Sequence, residues 1–169
     1  MSEGAEVAAN QYLTFTLDEE QYAVEVSRVM EVLEYTTITK VPRTLEFMRG
    51  VINVRGSVIP VVDLRLKFEM SAVEKTIDTS IIVMEVEIGG ERVTLGCLAD
   101  SVQEVISLDA GQIEPAPQIG TKINTRFVKG IGKQNERFII ILDIDKVFSE
   151  EEIAAVTGEQ VMQAGRSES

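Results

Sequence analysis

The 169-residue chain contains no histidine, no tryptophan and a single cysteine. Without histidine there is no Ser-His-Asp or Cys-His hydrolase and no histidine phosphocarrier, because each needs an imidazole that exchanges a proton near neutral pH. Carboxylate and lysine chemistry stay open. One cysteine cannot close an internal disulfide, and with no histidine beside it the soft ligands are too few for a zinc or haem site. Cys97 lies in the apolar stretch Leu95-Gly96-Cys97-Leu98-Ala99, where a free thiol acts as a small hydrophobe. Aromatics are scarce, three Tyr and six Phe, which leaves little for the stacking platforms that hold single-stranded nucleic acid. Positive charge is short too. Sixteen Lys and Arg against 28 Asp and Glu give a formal −12, whereas binding to nucleic acid or an anionic membrane needs a cationic face. No apolar run approaches the ~20 residues that span a bilayer. The start, Met1-Ser2-Glu3-Gly4-Ala5-Glu6, has no basic n-region of a secretory signal. These absences predict no nucleic-acid partner, no membrane insertion, no cofactor or metal, and a reducing cytoplasm as the compartment.

What is present is a run of short strands. At 44% hydrophobic, a chain of this length buries roughly 70% of its unfolded surface and holds a core without staples. Residues 1–10 read as a disordered start, 11–157 as the folded domain and 158–169 as a flexible tail. Tyr12–Leu17 alternates, with Leu13, Phe15 and Leu17 on one face. A turn at Asp18-Glu19-Glu20 leads to Tyr22–Val26, and Ser27-Arg28 breaks that strand before Val29–Tyr35. Gly50–Val54 and Ser57–Asp63 flank Arg55-Gly56. Ser80–Ile88, the Gly89-Gly90 turn, Arg92–Ala99 and Val102–Leu108 follow. Residues 109–126 are a long loop with Pro115 and Pro117. Phe127–Gly132 and Arg137–Leu142 close the pattern. One short helix is expected, capped by Ser149 with Glu152 three residues on, striped by Ile153 and Val156, and ended by Gly158. The fold class is all-β with minor α.

The sequence also repeats. "FMRGVINVRGSVIPVVDLRLKF" (47–68) lies over "FVKGIGKQNERFIIILDIDKVF" (127–148) without a gap, at an offset of 80. Upstream, Val29-Met30-Glu31-Val32 lies over Val102-Gln103-Glu104-Val105 at an offset of 73. Two matches in the same order predict a duplicated unit: two small barrels in one compact domain, about 11–75 and 76–148, with the termini free to cross between them and a helix over 149–157. The unalternated run Phe138-Ile139-Ile140-Ile141-Leu142 then suits a strand covered on both faces by the two barrels.

Candidate sites follow from this frame. Gly50 and Gly56 have five residues between them where a phosphate loop has four, and they lead into a strand rather than a helix, so they are not a phosphate loop. Arg55-Gly56 reads as a tight turn with Gly56 at positive φ. The matching positions are Asn135 and Glu136, so the scaffold needs no arginine there and Arg55 is a partner-facing candidate. Alternation over Val29–Val32 sends Met30 and Val32 inward and Glu31 outward, with Val29 sharing the exposed face as an edge for a partner. Asp63 and Asp143 stand at equivalent strand ends and read as repeated helix N-caps; a catalytic carboxylate pair is the sharper alternative. The loop Ile113-Glu114-Pro115-Ala116-Pro117-Gln118-Ile119 reads as a linker, or as a stiff contact loop displaying Ile113 and Ile119.

Taken together, "RGVINVRGSVIPVVDLR", "FVKGIGKQNERFIIILDIDKVF", the opening "YLTFTLDEEQYAVEVSRVMEVLEY" and "QIEPAP" resemble the bacterial chemotaxis coupling protein family, CheW, over about residues 11–157. The resemblance implies two five-stranded SH3-like barrels around a shared apolar core. It implies a non-enzymatic adaptor bridging the cytoplasmic tips of methyl-accepting chemotaxis receptors to the regulatory domain of the histidine kinase CheA, held at the membrane-associated array through those partners. Carried over by position, Val29, Glu31, Arg55 and Gly56 fall on the family's kinase- and receptor-coupling segment, with Val54 in place of a leucine before the Arg-Gly turn. Glu31 and Arg55 are expected to pair across the first barrel. Glu114, Gln118 and Ile119 fall in the loop of a second ring contact, with Glu114 where some members are basic and Ile119 where an aromatic occurs. A coupler of a non-motility pathway and a carboxylate enzyme are the rival functions.

Overall fold

The computed structural model describes residues 10–42, 45–71, 74–116 and 125–157. The chain runs β1 (Asn10–Leu17), β2 (Glu20–Glu25), a 3-10 turn (Val26–Arg28), β3 (Val29–Glu34), β4 (Met48–Val54), β5 (Ser57–Asp63) and α1 (Leu64–Lys67). It continues with β6 (Ser80–Ile88), β7 (Glu91–Ala99), β8 (Ser101–Leu108), β9 (Ile113–Glu114), β10 (Val128–Gln134), β11 (Arg137–Leu142), α2 (Ile144–Val147) and α3 (Glu150–Thr157). The first strand starts at Asn10, inside the stretch expected to be disordered. The rest of that stretch, the tail and Gly158 lie outside the described residues.

The strands form two sheets, in the orders β8-β1-β2-β11-β10-β9 and β3-β6-β7-β5-β4. Apart from the two-residue β9, they correspond strand for strand. The 73 and 80 offsets carry β3 onto β8, β4 onto β10 and β5 onto β11, which leaves hairpin β6–β7 equivalent to β1–β2. Both sheets contain one parallel pairing, β5 with β7 and β11 with β2. The sheets therefore do not divide the chain at residue 75. Hairpin β1–β2 serves the barrel of the later strands, and hairpin β6–β7 serves that of the earlier ones.

Each sheet curls around its own core. Tyr12, Ala23, Ile106, Leu108, Ile139 and Ile141 form one; Ile52, Ile59, Val61, Ile81, Val83 and Leu98 form the other. A larger core between the sheets takes the opposite faces of the same strands. Ile139 and Ile141 thus face a barrel interior while Ile140 and Leu142 face the shared core, which is why the run does not alternate. Phe138 alone departs from the expectation, 64% exposed.

The aromatic contacts show pseudo-two-fold packing. Phe47 and Phe127 share one repeat position, Phe68 and Phe148 another. Phe47 packs on Phe148 at 5.7 Å between centroids and Phe68 on Phe127 at 5.8 Å, the reciprocal pattern of an isologous interface. Lys67 Nζ lies 5.4 Å and 5.1 Å from the Phe47 and Phe127 centroids, so one cation serves both halves.

Gly50 and Gly130 hold equivalent places because another segment crosses each. A Cβ on Gly50 would stand 2.1 Å from the Thr39 carbonyl oxygen, and one on Gly130 2.6 Å from Ile113 Cγ2. Both follow a bulge in their hairpin. Helix α3 has the expected capping box: Glu152 N–H donates to Ser149 Oγ at 3.0 Å and Ser149 N–H to Glu152 Oε1 at 2.9 Å. Ile153 and Val156 are buried against the shared core.

Candidate protein-interaction site

Among the described residues, strand β3 is an edge strand paired only with β6. Its register sets Glu31 opposite Val83, Leu33 opposite Ile81 and Val32 opposite Ile82. Directly paired residues share a face. Glu31 and Leu33 therefore face the barrel interior with Val83 and Ile81, while Val32 shares the side of Ile82, a shared-core residue. This reverses the expected facing. Met30 and Val32 are 58% and 42% exposed, and the Glu31 side chain is only 24% exposed. The cause is a bulge between Val29 and Glu31, which breaks the period-two alternation. Val29 itself packs against the shared core, and Met30 Sδ accepts a weak hydrogen bond from Thr94 Oγ1 at 3.8 Å.

The β4–β5 turn brings Arg55 to this edge from across the barrel. Arg55 and Gly56 both take left-handed conformations, φ 50° and 90°, as a type I′ hairpin turn requires. Gly56 N–H donates to Asn53 Oδ1 at 2.9 Å, fixing the tip. The Arg55 guanidinium then donates to Glu31 Oε1, joining the two ends of the sheet. That hydrogen bond, with the Glu31 charge, raises the Arg55 pKa further above its ordinary value. Arg55 remains exposed. The expected pairing of Glu31 with Arg55 is thus present. The turn does have a counterpart: Asn135 and Glu136 adopt φ 52° and 66°. The backbone repeats and only its chemistry differs.

The second candidate group is only partly described. Glu114 is exposed in β9, with Glu114 Oε2 3.9 Å from Lys133 Nζ; Gln118 and Ile119 lie outside the described residues. Ile113 is not displayed as expected. It pairs with Gly132 in β9 and packs against a barrel core.

Sequence reasoning missed an exposed apolar set. Val32 and Val105 share the 73 offset; Val58 and Phe138 share the 80 offset. They are 42%, 50%, 46% and 64% exposed. The repeat does not single them out, since Ile59 and Ile139, apolar at the same offset of 80, are both buried.

The carboxylate alternative gains no geometry. Asp63 accepts from Arg65 N–H at 2.9 Å and caps α1 as expected, with Arg49 Nη1 at 3.5 Å. Burial still pushes its carboxyl above the ordinary range. Asp143 makes no side-chain cap bond, contrary to expectation. Its carboxylate instead lies 3.7 Å from Lys146 Nζ. Cys97 is buried, and burial raises its thiol to about 12. No helix among the described residues is long and apolar enough to cross a membrane.

A family model described as a CheW-like domain matches residues 11–152. The chemotaxis protein CheW of Klebsiella aerogenes is 38% identical over 151 residues, 89% of either chain. That of Thermotoga maritima is 34% identical over 141 residues, 82% of this chain and 87% of the relative. The crystal structure of the scaffolding protein TtCheW from Thermoanaerobacter tengcongensis superposes with a TM-score of 0.75 at 38% identity, covering 85% of this chain and 90% of that one.

Proposed function

The chain belongs to the CheW-like domain family and is a chemotaxis scaffold rather than an enzyme; from that premise we propose that it couples methyl-accepting receptor tips to the regulatory domain of the histidine kinase CheA. The observation that carries the reading is the Glu31–Arg55 pair. It stands on an edge strand, beside exposed Met30 and Val32, at a turn whose backbone the fold repeats without an arginine. Stability does not require that side chain, because exposed ion pairs contribute little, so its chemistry is free to serve a partner. Val29, Glu31, Arg55 and Gly56 are the proposed coupling surface; Glu114, Gln118 and Ile119 are the proposed second contact. Kinase control follows if receptor states bind the scaffold with different affinity and so shift the kinase's active population.

The test is co-purification of the full chain with receptor cytoplasmic fragments and with the kinase regulatory domain. Saturable binding to both is expected. Binding to neither would end the proposal.

A further inference from the structure

Among the described residues the chain passes between the sheets twice, and both passages are short. Val26–Arg28 links β2 to β3, and Asp100 alone links β7 to β8. An arginine–aspartate pair holds each. At the first, Arg28 donates from Nη1 to Asp145 Oδ1 at 2.8 Å and from Nη2 to Asp145 Oδ2. Arg28 Nη1 also reaches the Glu85 carbonyl at 3.0 Å, and Glu87 N–H donates to Asp145 Oδ1 at 2.7 Å. Asp145 is in α2, after β11 of one sheet; Glu85 and Glu87 are in β6 of the other. At the second, Arg65 in α1 donates from Nη1 to Asp100 Oδ2 at 2.6 Å and from Nε to the Ser71 carbonyl at 2.9 Å. Asp18 N–H, in the β1–β2 turn, donates to Asp100 Oδ2 at 2.8 Å, and the Asp18 carboxylate lies 3.7 Å from Arg65. Each cluster therefore ties both sheets to one passage.

Arg65 and Asp145 occupy the same repeat position, at the offset of 80. The polarity is reversed between them: arginine on the passage and aspartate on the helix in one cluster, the opposite in the other. In the pseudo-symmetric alternative, each passage would lie against the other short helix. Arg28, one residue out of the repeat register of Asp100, would then lie on the side of Arg65, and Asp100 on the side of Asp145. Like charges brought together disfavour that arrangement. Partly buried ion pairs are weak sources of stability and better attested as devices for register.

We infer that Arg28–Asp145 and Arg65–Asp100 are positioning pairs that fix how the two barrels sit relative to each other. This rests on the coupling proposed above, in which a bias at one barrel has to reach the other without being absorbed at the joint.

The experiment places nitroxide labels at E91C on β7 and S107C on β8, both exposed and on different sheets, in the full chain; buried Cys97 does not compete. Pulsed dipolar spectroscopy should give a narrow distance distribution for the native pairs. R28Q and R65Q should each broaden it, and R28Q/R65Q should broaden it further, with reconstituted kinase control reduced at least several-fold. If the arginine variants fold poorly, D145N keeps the acceptor for Glu87 N–H while removing the charge, and should still broaden the distribution. Variants that melt lower but keep the native width would overturn the inference, leaving the pairs as ordinary stabilisers. Broadened distances with unaltered kinase control would uphold the clamps and overturn transmission through a rigid joint.

Discussion

Single residues in this chain separate into those the backbone needs and those it does not, and glycines make the distinction measurable. Gly50, at φ 146°, has the Thr39 carbonyl where a Cβ would stand. The obstacle is backbone, so Gly50→Ala should cost more than about 3 kcal/mol, as strain in an unyielding core does. At Gly56, φ 90°, a Cβ would meet nothing within 4 Å beyond the residue itself and its chain neighbours. Gly56→Ala should therefore cost only the left-handed penalty, about 1–2 kcal/mol. Urea unfolding of the two variants checks the contrast; equal losses would show that the Thr39 contact is not what selects Gly50. Arg55 is the complementary case. Arg55→Ala should leave the melting temperature within a degree or two of the parent yet lower kinase activation in a reconstituted receptor array by tenfold or more. Full activation by that variant would remove Arg55 from the proposed surface.

Among the elements, helix α3 is the clearest case of local chemistry supporting tertiary packing. Its capping box is complete, and Lys67 Nζ meets Glu152 at 2.9 Å and 3.0 Å, tying the helix to α1. Ser149→Ala should destabilise the protein by about 1 kcal/mol, with hydrogen exchange accelerating first at Ile153–Val156. Uniform acceleration throughout would mean that α3 does not open on its own. This helix was legible because its cap, stripe and length lie within nine consecutive residues. The hairpins were legible for a similar reason: their turns are local, and the repeat exposed those that recur. The facing of β3 was not. A bulge moves it by one residue, and Val29-Met30-Glu31-Val32 carries no composition that marks the bulge. The role of Asp143 was misread because equivalence to Asp63 predicts a backbone position, not which proton donors surround it. Lys146 stands near one, whereas Arg65 N–H meets the other. The Glu31–Arg55 pairing was expected from family resemblance, since spacing alone does not bring an edge strand to a hairpin tip 24 residues away.

For the whole molecule, duplication was visible in the sequence while the exchange of hairpins was only left open, as termini free to cross, because no strand's own pattern says which sheet receives β1–β2. The charges at that joint make a pH prediction. Burial acts to raise the Asp145 carboxyl, but hydrogen bonds from Arg28 and Glu87 N–H outweigh it and hold the pKa below the ordinary value. Glu152 is likewise held low, with burial outweighed by Ser149 and Lys67. A carboxylate with a depressed folded pKa stabilises the fold fully above its unfolded pKa, about 3.9 for Asp and 4.3 for Glu. That contribution is lost as pH falls through the folded value. Asp63 has the opposite sign. Burial raises its pKa, so its ionised form costs stability at neutral pH and protonation recovers it as pH falls. The parent protein should therefore hold a stability plateau near neutrality and lose stability below about pH 4. Asp145→Asn should flatten that decline by removing a group that binds its proton more weakly in the folded state. Asp63→Asn should steepen it by removing a group that gains on acidification. Urea unfolding from pH 7 to pH 3 measures both slopes. If Asp145→Asn has the parent slope, the Arg28 clamp does not hold that carboxylate's pKa below the ordinary value.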